Sequence, residues 1–96
     1  MGKRNNETWV WVVVENPEKD EKIVGQLDES SGVSFFPTFE SKEAALMCLN
    51  FLVREPGKKY EPQAILYGDL VEYARENQFI ICILDDTGKI TEKIAV

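Results

Sequence analysis

The sequence predicts an α+β domain, a mainly antiparallel sheet of about five or six strands carrying two short helices. Three observations lead there. Several short runs rich in β-branched and aromatic residues are separated by turn-forming clusters. Two stretches, starting at Ser41 and near Asp69, combine a helix-start signal with apolar residues at helical spacing. A chain of 96 residues folds around one hydrophobic core, so a single domain over 1–96 is expected, with residues 1–7 frayed.

Residues 9–14 read Trp-Val-Trp-Val-Val-Val and make the clearest strand. Residues 15–22 follow with Asn16-Pro17 and six charges, the composition of a solvated hairpin loop. Residues 23–27 form a short strand containing Gly25, and 28–32 a turn. Residues 33–39 alternate, with Val33, Phe35, Pro37 and Phe39 towards the core and Ser34, Phe36 and Thr38 on the other side. Pro37 lacks a backbone N–H, which places this strand near a sheet edge.

Ser41 caps a first helix over 42–53, apolar around most of its circumference and so expected to be broadly buried, with Ala45, Leu49 and Leu52 on the sheet. Pro56-Gly57 ends it. Residues 60–67 form a strand whose pairing Pro62 limits to the later half. Asp69 and Glu72 imitate a capping box for a second helix running to about Asn77, with Leu70, Tyr73 and Ala74 inward. Residues 79–84 are a fully apolar strand. Asp85-Asp86-Thr87-Gly88 makes a hairpin turn with Gly88 at positive φ, and 89–96 return with Ile90 and Ile94 on one side.

Composition excludes more than it suggests. Seventeen acidic against 11 basic residues give a net charge of −6, which repels a phosphate backbone, so no nucleic-acid partner is expected. There is no histidine, which removes the commonest general base and metal ligand. The uncharged apolar run 9–14, which no other exceeds, is too short to span a bilayer or to serve as a signal-peptide core. No membrane association and a cytoplasmic location are therefore expected. Cys48 and Cys82 sit in apolar segments and read as buried thiols, although sequence leaves a disulfide between them open. No cofactor or metal is expected.

Each chemical candidate has a structural explanation beside it. Asp85 and Asp86 could hold a metal or move a proton, but Asp is a preferred turn residue and the hairpin accounts for both. Phe35, Phe36 and Phe39 with Pro37 could form an aromatic capture surface; a core corner explains them better. Arg54, Lys58 and Lys59 suit a helix C-terminus. Tyr67, Asp69 and Tyr73 could line a polar pocket, yet capping and packing account for them. Neither a nucleophile with its base nor a glycine-rich phosphate loop stands out.

The strands at 9–14 and 79–84 are apolar on both faces, as central strands covered from both sides are. With both helices on one side, the other would expose Trp9, Trp11 and Val13 or their alternates, and Phe36 joins them as an interface candidate. With one helix on each face, or a sheet curled on itself, both surfaces would be hidden.

The run from Val33 to Ala45, Val-Ser-Phe-Phe-Pro-Thr-Phe-Glu-Ser-Lys-Glu-Ala-Ala, resembles a strand-to-helix pattern in the N-terminal domain of SseB-like bacterial proteins. The resemblance implies a small bacterial α+β domain and brings no catalytic residues. The expected role is a non-enzymatic protein-interaction or accessory domain, acting as a homodimer or docking an apolar sheet face on a protein partner. The alternative is a small-ligand-binding regulatory domain with a pocket between sheet and helices; an enzyme using carboxylates or tyrosines comes third.

Overall fold

The computed structural model describes residues 5–16, 21–49 and 56–96. Within them one sheet contains β1 (Trp9–Glu15), β2 (Lys22–Ile23), β3 (Gln26–Asp28), β4 (Val33–Phe39), β5 (Tyr60–Leu66), β6 (Ile80–Leu84) and β7 (Ile90–Ile94), and α1 (Lys42–Cys48) and α2 (Tyr67–Asn77) pack on it. The α+β expectation holds. The expected Leu52 contact and Arg54 lie outside the described residues.

β1 pairs along its whole length with β5. Its other side meets β4 at Trp11↔Phe39 and Val12↔Thr38, and β2 at Val14↔Ile23 and Glu15↔Lys22. β4 continues to β6, which pairs with β7. All pairings are antiparallel except β4 with β6. The strand count is seven because 23–27 splits. β1 and β4 diverge from their short contact, β2 stays on β1, and β3 joins β4 at Gln26↔Phe35. Val24 and Gly25 cross that fork, with the Val24 N–H donating to Val13 O at 2.8 Å.

The fork corrects the placement of β4. It is an interior strand, flanked by β3 and β1 on one side and β6 on the other, not a sheet edge. Pro37 is tolerated there because β4 pairs with β3 through residues 33–35 and with β1 through 38–39. Pro37 falls in the gap between those ladders, where a missing N–H breaks no pairing on that side. Both of its faces are consequently buried at 36–39, including Thr38, whose hydroxyl donates to Phe36 O at 3.0 Å. Pro62 also interrupts less than expected. All of β5 pairs with β1, since an edge strand can turn a proline's nitrogen away from its one neighbour.

The helices lie on opposite faces. Leu70 and Ala74 of α2 pack with Val10, Val12, Val14, Phe36, Ile81 and Ile83. Ala45 and Cys48 of α1 pack with Val13, Val24, Phe39, Cys82 and Leu84. Adjacent residues of β1 and β6 thus serve different cores, as the two-residue period of a strand requires. The topology gives the reason. β4–α1–β5 and β5–α2–β6 each join strands of the same direction, and they travel across the sheet in opposite senses. Crossovers of one hand that reverse their lateral travel reverse the face on which their helix lands.

Ser41 caps α1 as expected, accepting from the Ala44 N–H at 3.1 Å. α2 departs from expectation. Leu66 is its N-cap and makes no side-chain cap bond, so the Asp69–Glu72 box does not form; Asp69 sits in the first turn instead. Residues 5–8, which overlap the 1–7 segment expected to fray, supply the cap. The Tyr67 N–H donates to Thr8 O at 2.8 Å and the Gly68 N–H to Asn6 O at 3.0 Å, satisfying two of the helix's orphan donors. At the other end Gln78 takes the left-handed conformation at φ 61° and Phe79 N–H closes onto Ala74 O at 2.9 Å.

β7 carries a second correction. Register runs Ile83↔Glu92 and then Leu84↔Ile90, so Thr91 is an extra residue that bulges from the ladder. The bulge inverts the alternation beyond it. Ile90 packs with the α1-side core and Ile94 with the α2-side core, rather than both on one face.

Candidate functional site

The four interface candidates from the sequence do not form one surface. Val13 is 1% exposed and Phe36 3%, on opposite sides of the sheet, because each face carries a helix. Phe36 stacks on Phe79 at 4.6 Å between centroids and meets Tyr73 at 5.4 Å. Trp11 is half-buried under the Lys42 ammonium, 5.9 Å from the ring centre. Trp9 alone of the four is largely open to solvent, at 61%. A bare sheet face presenting Trp11, Val13 and Phe36 is therefore corrected to two covered faces.

The remaining candidates take structural places. Phe39 is fully buried and Phe35 half-buried, so the phenylalanine run is mainly core. Tyr67 and Tyr73 pack against the α2-side core while Asp69 is exposed, and they make no common pocket. Lys58 pairs with Glu15 at 3.2 Å. Asp85 is a turn-former: its Oδ1 accepts from the Thr87 hydroxyl at 2.7 Å and from the backbone N–H of Thr87 and Lys89 at 2.9 and 3.0 Å. Those bonds, the Thr87 hydroxyl first, hold its carboxyl below the ordinary carboxylate range. Gly88 stands at φ 85°, as the turn demands.

Cys48 and Cys82 are both free and buried in the α1-side core. Burial pushes both thiols up from their ordinary value, and Cys48 Sγ donates to Asp85 O at 3.1 Å. Raised, enclosed thiols are poor nucleophiles. Among the described residues no three His, Cys, Asp or Glu side chains are grouped to hold a metal, and no helix is long and apolar enough to cross a membrane.

A different surface emerges where β4 and β6 end. These strands are parallel, so their carboxyl ends lie together, and α1 rises from one of them. Between α1 and the β6–β7 turn lies an open groove of about 700 Å³. Leu46 and Met47, 47% and 56% exposed, share it with Ala44 and Leu84. Glu40, Glu43, Asp85 and Asp86 also line it. Outside the carboxyl ends of parallel strands is also where open sheets commonly place ligands. The signal was present in the sequence as a helix apolar on too many sides. Broad burial was the wrong inference from it, because a single layer of sheet covers one side of a helix and leaves the outward positions bare.

A second cleft of about 590 Å³ lies between α2 and the fork of the sheet, lined by Phe36, Tyr73 and Phe79 together with Lys22, Gly25 and Tyr60.

No family model, no curated protein and no solved structure matches this chain.

Proposed function

We propose that the chain is a non-enzymatic, cytoplasmic protein-interaction domain that docks a partner through α1 and the adjoining strand ends. The observation that carries this reading is the exposure of Leu46 and Met47 beside a concave surface, on a helix anchored to the sheet by the fully buried Ala45 and Cys48. Adjacent large apolar side chains held open on a rigid helix are a feature of partner-binding surfaces, and methionine adapts to varied partner shapes. Trp9 extends the apolar character at the same end of the sheet: β1 begins beside the end of β4, and Trp9 shares its face with Trp11 and Val13.

The test is site-specific photo-crosslinking from position 47, with position 61 on the outer strand β5 as control. A discrete adduct from 47, competed by excess unlabelled protein but not by the Leu46→Ser/Met47→Ser double variant, supports docking here. Equal labelling from both positions defeats it.

The aromatic cleft against α2 supports a second reading, a small-ligand regulatory domain. A reproducible rise in melting temperature with one compound class, lost in Tyr73→Ala, is its expected signature, because ligands that bind only the folded state stabilise it.

A further inference from the structure

We propose that the groove between α1 and the β6–β7 turn seats a basic amphipathic segment of a partner protein, its apolar side chains on Leu46 and Met47 and its Lys or Arg side chains against the carboxylates. This rests on the docking reading above and adds the chemistry of the partner. Charge complementarity selects the occupant. Leu46 and Met47 share the groove's lining with acidic groups on two borders, Glu43 on α1 and Asp85 and Asp86 on the turn. Lys42, the cation within α1, is turned over Trp11. Lys89 lies beside Asp85 and offsets part of that one charge. A partner that bridges the two borders while covering Leu46 and Met47 must alternate apolar and cationic groups.

A second copy of this chain fits poorly. A two-fold interface would set each acidic border against its duplicate, and like charges brought together across an interface oppose association. The net charge of −6 acts in the same direction at longer range: it slows self-encounter and draws basic segments in. A helical segment of about 14 residues is ~21 Å long. Its anchors would repeat at three- and four-residue spacing.

The probe is a synthetic Leu–Lys peptide of about 14 residues with leucines at helical spacing, titrated at low and moderate salt. Leu–Gln and Leu–Glu peptides of the same leucine pattern serve as controls. The Leu–Lys peptide is expected to bind and the Leu–Glu peptide not to. Glu43→Gln/Asp86→Asn should weaken binding about five- to tenfold, and Leu46→Ser/Met47→Ser about tenfold. Glu72→Gln/Glu76→Gln on α2 makes the same change in net charge on the opposite face and should shift affinity less than about twofold.

Equal losses from the two charge-matched pairs would reduce the effect to bulk attraction and overturn the proposal, as would failure of the Leu–Lys peptide to bind. Binding of the Leu–Gln peptide with equal affinity and the same dependence on Leu46 and Met47 would overturn the basic partner while leaving the docking reading intact. Dimerisation of the chain, seen by light scattering and abolished by Leu46→Ser/Met47→Ser, would give the face to a second copy and overturn it too.

Discussion

Gln78 occupies the left-handed C-cap of α2 at φ 61°, where a Cβ is disfavoured and glycine is not. Gln78→Gly should therefore stabilise the protein by about 1 kcal/mol, read as a higher urea midpoint with an unchanged slope. Asp85 and Asp28 argue the pH dependence. The hydroxyls of Ser30 and Ser31 come first in holding Asp28 low, as the Thr87 hydroxyl does for Asp85. A carboxyl lowered in the folded state contributes stability above its unfolded value, near 3.9, and loses it as pH falls through the folded value. Asp85→Asn should thus flatten the fall in melting temperature between about pH 5 and pH 2. A fall as steep as wild type would show that the turn bonds do not discriminate protonation states. The turn at 85–88 was legible because Asp, Thr and Gly each carry their conformational preference with them. The left-handed Gln78 was not, since glutamine carries no such preference and only the meeting of α2 with β6 imposes it.

At the level of elements, α2 shows how a local signal can be overridden. Asp69 and Glu72 have the spacing of a capping box, yet β5 runs into the helix without a loop, and the backbone of residues 5–8 reaches the N–H groups first. Gly68 is held to that arrangement by proximity: a Cβ there would stand 2.8 Å from Asn6 Cβ and 3.2 Å from Asn6 O. In an ordinary helix Gly→Ala adds about 1 kcal/mol of stability. Gly68→Ala should instead destabilise by about 1 kcal/mol or more by displacing the capping turn, and limited proteolysis should then cleave near residues 5–8 faster than in wild type. The bulge at Thr91 makes the same point for strands. Nothing in Ile90 to Ile94 marks it, but the ladder with β6 accommodates one extra residue and the hydroxyl of Thr91 donates to Ile83 O at 3.1 Å.

The whole molecule is built as two cores sharing one sheet. Val10, Val12 and Val14 face α2 while Val13 faces α1, and Ile81 and Ile83 alternate with Cys82 and Leu84 in the same way. Neither core can open without disturbing strands that line the other. Leu70→Ala, at a site with no solvent exposure, should cost about 2–5 kcal/mol. Although Leu70 packs on the α2 side, tryptophan fluorescence from Trp9 and Trp11 on the α1 side and backbone circular dichroism should lose structure at one shared midpoint. Separate midpoints would mean that the two cores unfold independently. Leu46→Ser/Met47→Ser, by contrast, changes exposed side chains and should leave the melting temperature nearly unchanged.

By itself the sequence determined the fold class, the order and type of most elements, the Ser41 cap, the turn before β7 and the buried thiols. All of these are written within a few residues of chain, in alternation, side-chain branching and turn preference. Tertiary structure alone decided that β4 is interior, that residues 5–8 cap α2, that Ile90 and Ile94 part company, and that the helices take opposite faces. Lateral strand order decides each of these. It is set by pairings between residues 26 to 57 positions apart, which no short run of chain specifies. The exposed surface followed from the same cause: with both sheet faces covered, the adjacent pair of open apolar side chains lies on α1, while Trp9 and Leu27 stay open on the strands.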